Sequence, residues 1–312
     1  MEMRQVFAQE LGKLMEQDSR ICVIDADLAK ASGTFSLREK FPDRALDVGI
    51  AEQNMASVAA GLASYGFLPF ITSFGCFASR RICDQIMLSI AYARQNVKIV
   101  GTDPGISAEL NGGTHMPFED IGVLRSIPTM VIFEPVDEIQ LRKAMPQLVE
   151  YPAPVYIRLF RKEQPVIFSE DYQFDLMKAD VLREGSDITI LATGIMVKKS
   201  LDAAEILSKQ GISAEVINVH TLKPLDQDTI LSSVKKTNHV LTAENHNVIG
   251  GLYSAVCELL AATYAVPVAR VGVEDEFGEV GKMPQLAPRF GLTVEHIVEN
   301  ALHSLGRKET VL

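Results

Sequence analysis

The sequence predicts an α/β protein of two domains, each a largely parallel sheet covered by helices. Three observations lead there. Short apolar runs alternate with helical patterns from one end of the chain to the other. The runs are continuously apolar, as parallel strands buried on both faces require. The alternation breaks only once, in a polar stretch after Arg161 that contains Pro165.

Taken in order, the first element is a helix carrying Val6, Phe7, Leu11, Leu14 and Met15, whose spacing puts them on one face. Strands are predicted at 21–24, 67–72, 97–101, 129–133 and 155–157. Between the first two, a helix opens near Glu52 with apolar positions Met55, Val58, Ala59 and Leu62 and ends before Gly66. Lys162-Glu163-Gln164-Pro165 and Ser169-Glu170-Asp171 then interrupt the pattern. The expected division is therefore a first domain at 1–163, a linker at 164–184 and a second domain at 185–312. The second domain has predicted strands at 188–192, 214–219, 239–242 and 268–271. Its helix carrying Val197, Leu201, Ala204 and Leu207 shows the same one-sided spacing. No internal repeat of fixed period is visible.

The chain has 312 residues, 47% hydrophobic and 22% charged, enough for two separate cores. Its net charge of −10 (30 basic, 40 acidic), without basic blocks, argues against nucleic acid or anionic membrane as a partner. A phosphorylated substrate has to be held by a few placed cations. No apolar run approaches the ~20 residues of a membrane span, and Met1-Glu2-Met3-Arg4-Gln5 does not begin a signal peptide. Cys22, Cys76, Cys83 and Cys257 have unrelated spacings. They are expected to be reduced thiols in a cytoplasmic protein, and no metal site is expected within the chain.

The most informative segment is Asp47-Val48-Gly49-Ile50-Ala51-Glu52-Gln53-Asn54-Met55-Ala56. An acid at a helix start stabilises it by a few tenths to ~1 kcal/mol, so spacing alone reads Glu52 as an ordinary end charge. The helix is dense in small residues, however, and tight packing would desolvate a carboxylate at its mouth. The run Gly49 to Met55 resembles the pyrimidine-binding motif of the transketolase family. In that family the glutamate contacts a ring nitrogen of the aminopyrimidine of thiamine diphosphate. The following Tyr65-Gly66-Phe67-Leu68-Pro69-Phe70-Ile71-Thr72-Ser73-Phe74-Gly75-Cys76-Phe77 continues the match. The resemblance implies that Phe74 and Phe77 surround the aminopyrimidine, although two phenylalanines three apart are by themselves ordinary core. A carboxylic acid on the ring edge favours the tautomer that takes the proton from the cofactor's reactive carbon. Aromatic stacking fixes the ring without competing for that edge.

A second match is Thr102-Asp103-Pro104-Gly105-Ile106-Ser107-Ala108-Glu109-Leu110-Asn111-Gly112-Gly113-Thr114-His115-Met116-Pro117. A lone histidine is more often structural. Here the Gly-Thr-His ending implies that His115 hydrogen-bonds substrate oxygens and assists proton transfer. The loop departs from the family pattern twice. Asn111 stands where an aspartate normally contacts a donor hydroxyl, and Asp103 stands where a histidine normally lies near the substrate phosphate. Either the acceptor phosphate sits differently, or the acceptor is not an ordinary sugar phosphate. Arg161 falls on the family's phosphate-binding arginine, with a solvated linker arginine as the ordinary alternative. Arg4 is a further phosphate candidate by position. Asp27 aligns with an acid near cofactor and donor, though an aspartate after a strand is also a good turn former.

The match covers the whole chain but only the family's pyrimidine-binding and C-terminal domains. Leu222-Lys223-Pro224-Leu225-Asp226 and Glu244-Asn245-His246-Asn247-Val248-Ile249-Gly250-Gly251-Leu252 mark the latter. The Gly-Asp-Gly motif that holds the diphosphate through Mg²⁺ does not occur. It is expected on a partner, an N-terminal transketolase subunit, in a heterotetramer with two of each chain. The implied activity is transfer of a two-carbon ketol unit from a ketose to an aldose. The alternatives are the β subunit of a 2-oxo-acid dehydrogenase, half of a deoxyxylulose-phosphate synthase, or a non-enzymatic scaffold. His220, His239 and His246 are expected to be structural.

Overall fold

The computed structural model describes residues 1–306; the last six residues of the expected second domain, 307–312, lie outside the described residues. Twelve strands form two sheets. Those of the first half are β1 (Ile21–Asp25), β2 (Ala45–Asp47), β3 (Leu68–Phe74), β4 (Lys98–Thr102), β5 (Val131–Phe133) and β6 (Val155–Leu159). Those of the second are β7 (Asp180–Arg183), β8 (Ile188–Ala192), β9 (Ala214–Asn218), β10 (Thr221–Lys223), β11 (Val240–Asn247) and β12 (Val268–Val273). The first sheet has the order β10-β5-β6-β4-β3-β1-β2 and the second β12-β11-β8-β9-β7. Every pairing is parallel except those of the edge strands β10 and β7. The expected α/β architecture is present.

The helix Met3–Gln17 and the helix Glu138–Glu150 cover one face of the first sheet through Phe7, Leu11, Leu141 and Met145. The helix Glu52–Ser64 and the helical turns around Ile86 and Ile90 cover the other through Met55 and Ala59. That second core runs on into Leu191, Ile217 and Leu252, so the two halves share buried apolar surface. The helices Met196–Lys209 and Val294–Ser304 close the far side of the second sheet.

Two features add to the sequence expectation. The segment 164–184, expected as a linker, is packed against the first half. Ile167 and Phe168 donate backbone N–H groups to Asp137, Leu176 donates to Gln147, and Phe174 and Leu176 are buried in the first core. Its polar residues hide an apolar set that straps across the helix Glu138–Glu150, and it ends in the edge strand β7. In addition, β10 leaves the second half to pair with β5, giving the first sheet an edge that would otherwise expose its backbone.

A buried ion cluster locks the halves. Arg158 on β6 is fully buried, donating to Asp120 at 2.8 Å, Glu134 at 2.8 Å and the Asn245 carbonyl at 2.9 Å. Tyr156 also donates to Asp120, and Thr193 donates to Glu134 from the second half.

Candidate active site

A parallel sheet brings all its strand C-termini to one edge, where loops meet. On the first sheet, Asp27 follows β1, Glu52 follows β2, Phe74 ends β3, Asp103 follows β4 and Arg161 follows β6. Residues scattered over more than a hundred positions thus share one rim.

Glu52 is the first residue of its helix and only 5% exposed. The turn before it needs Gly49, at φ +73°, and is held by Asp47, which accepts from the N–H groups of Gly49 (2.8 Å) and Asp27 (3.1 Å). The small residues Ala56, Ala59 and Ala60 let this helix pack closely on the core, seating the carboxylate at the rim. Its partner is Arg81, whose Nη1 lies 2.6 Å from Oε1. The Cζ of the same guanidinium lies over the Phe77 ring, 3.6 Å from its centre.

Phe74, Phe77 and His115 form an aromatic trio, with ring centres 6.0 Å (Phe74–Phe77), 5.9 Å (Phe74–His115) and 5.3 Å (Phe77–His115) apart. Phe77 is turned back toward Phe74 because the N–H groups of Phe77 and Ala78 both donate to the Phe74 carbonyl at 2.8 Å. Thr114 Oγ1 lies 2.9 Å from His115 Nδ1, leaving Nε2 without a protein partner among the described residues. Arg80 clamps this loop, reaching Glu119 at 2.6 Å and the Thr114 carbonyl at 3.0 Å.

Beyond Phe74 lies a group of ions. Arg161 Cζ is 5.9 Å from the Phe74 ring centre, and its Nε is 3.1 Å from Asp103 Oδ1. Asp103 is buried in the left-handed region at φ +58°, and its Oδ2 has no partner among the described residues. Burial pushes its carboxyl up to about 6, against the pull of Arg161, Arg4 and Lys162. The N–H of Arg4 donates to the Arg161 carbonyl, which brings the N-terminus beside this group. The Arg4 side chain itself binds Glu2 and the Ala31 carbonyl, and Lys162 pairs with Glu109. Every cation here has a carboxylate neighbour.

Asp27 is exposed, and its carboxylate makes no hydrogen bond among the described residues. Just behind it the buried Asp25 accepts from Thr34 at 2.8 Å and from Thr72, and burial raises it to about 6. Asn111 is exposed, likewise without a side-chain partner, at the end of the turn Gly105–Asn111. His220 and His246 are buried, and burial lowers both to about 4.

Sequence reasoning missed Arg80, Arg81 and the contribution of the second half. Asn245 accepts from the Ile106 N–H at 3.0 Å and donates to the Pro104 carbonyl at 2.9 Å. At Gly113 a Cβ would lie 2.1 Å from the Gly278 carbonyl, so two backbones touch directly behind His115. The available signal was the polar triplet Glu244-Asn245-His246 at the end of an apolar strand.

Glu52 and Phe77 suit a flat nitrogen heterocycle. The guanidinium of Arg81, planar with N–H donors along its edge, lies over the Phe77 ring and donates to the acid, the two positions such a ring would take. No group of three or more metal-capable side chains occurs among the described residues.

Known proteins match this chain over nearly its whole length. Residues 1–166 match the transketolase pyrimidine-binding domain and residues 177–297 the transketolase C-terminal domain. The 6-deoxy-6-sulfo-D-fructose transketolase subunit SqwH of Clostridium sp. (strain MSTE9) is 54% identical over 306 residues, 98% of this chain and 95% of that protein. A 1-deoxy-D-xylulose-5-phosphate synthase of Desulforudis audaxviator is 36% identical over 95% of this chain but only 47% of its own length. A solved structure described as a split gene transketolase, inactive beta4 tetramer, superposes with a TM-score of 0.90 at 40% identity, covering 99% of both chains.

Proposed function

This chain belongs to the transketolase family as the C-terminal subunit of a split enzyme, and we propose that it works with thiamine diphosphate and a partner subunit. In that reading the partner carries the diphosphate-binding domain and Mg²⁺, and the pair transfers a two-carbon ketol unit between sugars as a heterotetramer. The carrying observation is the nearly buried acid Glu52 beside the Phe77 ring, both reached by one planar N–H group, the Arg81 guanidinium. When bound, thiamine diphosphate supplies the carbanion chemistry that side chains lack.

The chain's own residues orient the cofactor and control protons. Glu52 is the acid that meets the ring nitrogen and sets its tautomer. Phe77 supplies the stacking face, and Phe74 shapes the passage beyond it. His115, whose Nε2 has no protein partner among the described residues, would hydrogen-bond a donor hydroxyl or carbonyl oxygen and take or return its proton. Arg80 and Asn245 hold the loop that carries it. Asp27 and Asn111 stand at the rim as further polar contacts to cofactor or donor.

We further propose that the donor ketose ends in a sulfonate, as the name of the SqwH relative suggests. Arg161 receives that end, with Arg4 and Lys162 nearby. A phosphate monoester carries −1.5 to −2 near neutral pH, whereas a sulfonate carries a single fixed charge. With Asp103 beside Arg161 the group offers little net positive charge, which disfavours the dianion and tolerates the monoanion. Transfer of the first two carbons of a six-carbon donor leaves a four-carbon aldose bearing the sulfonate.

Reconstitution with the partner subunit tests both proposals. Glu52→Gln should lower kcat by about 10²–10⁴-fold while assembly remains intact; wild-type turnover in that variant would refute the role of Glu52. The wild-type pair should favour the sulfonated ketose over its phosphate analogue, and Asp103→His should shift the kcat/KM ratio toward phosphate by about tenfold. An unchanged ratio would remove Asp103 from specificity.

A further inference from the structure

Arg81 takes no part in the mechanism above, yet it makes both contacts assigned there to the aminopyrimidine. Its Nη1 is 2.6 Å from Glu52 Oε1, and its Cζ lies 3.6 Å from the centre of the Phe77 ring. One carboxylate edge and one ring face cannot serve a guanidinium and a heterocycle at the same time. We infer that Arg81 is a tethered stand-in that closes the pyrimidine cleft and must swing out when the cofactor enters; this rests on the proposed cofactor reading.

Three features of the chain support the role. The neighbouring Arg80 points elsewhere and is tied to Glu119 and the Thr114 carbonyl, so the two adjacent arginines do different things. The side-chain ion pair and the cation–π contact of Arg81 among the described residues are to Glu52 and Phe77. Its side chain is 42% exposed, so a rotamer change carries the head into water without moving the backbone. Backbone movement is restrained because Gln53 Nε2 donates to the Arg81 carbonyl at 3.3 Å.

The closed arrangement has a physical benefit. Glu52 is nearly buried, and a buried carboxylate without a partner is costly. Arg81 provides the partner and covers the aromatic face before loading. The contacts of a half-exposed arginine are weak enough for a ligand to displace. The consequence is a lowered apparent affinity, because cofactor binds only to the fraction of molecules with the cleft open.

Calorimetric titration of thiamine diphosphate, with Mg²⁺, into the assembled but unloaded complex is the direct test. If the closed form outweighs the open one about tenfold, Arg81→Ala should lower Kd by about tenfold. Arg81→Lys keeps a cation for Glu52 but loses the flat stacking face, and should fall between. The isolated chain should show the same order with 4-amino-5-hydroxymethyl-2-methylpyrimidine, which lacks the diphosphate. Ligand-free thermal melts establish that the variants are folded, with Arg81→Lys carrying the comparison if Arg81→Ala is not. Equal affinity in wild type and variants overturns the inference. So does weaker binding in the variants, because Arg81 would then be a cofactor-holding group. Failure of every form, wild type included, to bind thiamine diphosphate would instead bring down the cofactor reading itself.

Discussion

The two sheets are built alike, but their strand ends have opposite fates. At the C-terminal edge of the second sheet, Thr193 after β8 donates to Glu134, and Asn245 and His246 of β11 meet the first half. Glu244 accepts from the Leu252 and Tyr253 N–H groups, and burial raises it to about 7. Its polar atoms face protein. The corresponding edge of the first sheet is left open, with Asp27 and Asn111 exposed and Asp103 Oδ2 without a partner among the described residues. Asp27 and Asp103 also adopt left-handed backbone there, a conformation that costs L-residues about 1–2 kcal/mol. A sheet becomes a site where its edge is not covered, and the second sheet serves by bracing the loops of the first.

Breaking the covered edge should have the largest effect. Arg158→Met removes the only cation between Asp120 and Glu134 among the described residues and strands two buried carboxylates. Loss of one partner in such a cluster costs about 3–5 kcal/mol, read as a lower urea midpoint. A cost below 1 kcal/mol would mean that the cluster does not hold the halves together.

The point where the two edges touch gives the next effect. Gly113→Ala drives a methyl group into the Gly278 carbonyl and should displace the His115 loop. Misplacing a reacting group by about 1 Å costs on the order of 10²-fold in rate. The kcat/KM of the reconstituted enzyme should fall accordingly, while the urea midpoint changes much less than for Arg158→Met. Normal kinetics would show that the second half does not brace the loop.

The smallest effect is a dependence on pH. Desolvation holds Asp25 up to about 6, outweighing its Thr72 and Thr34 hydrogen bonds, whereas the unfolded chain titrates near 3.9. Between those values the native state keeps a proton that the unfolded state has lost. Stability therefore falls as pH rises from about 4 to about 6, and Asp25 contributes to that slope. Asp103 and Asp180, both raised to about 6 by burial, act in the same direction. Asp25→Asn should remove its share and flatten the urea-derived stability profile across that window. An unchanged slope would mean that Asp25 titrates normally in the native protein.

Much of this protein was legible without coordinates because the signals are local. Continuous apolar runs announced nine of the strands, and β2, β7 and β10 escaped because each is short and none forms an apolar run. Glu52, Phe74, Phe77 and His115 were marked as a candidate site by the resemblance of their segments to the transketolase motifs, since spacing alone reads an end charge, two core phenylalanines and a structural histidine. The packing of the linker 164–184 was not visible in the sequence because its polar residues outnumber Phe168, Phe174 and Leu176, which anchor it.

What the tertiary structure alone decided are contacts between distant positions. Asn245 meets Ile106 across 139 residues, and no periodicity or turn rule refers to a partner so far away. Arg81 reaches Glu52, 29 residues away, because two rim segments converge. Residue order sets which elements form and what chemistry each strand end carries. Which ends are buried, braced or left open is a property of packing, where burial cost and side-chain reach are settled between segments that local sequence does not connect.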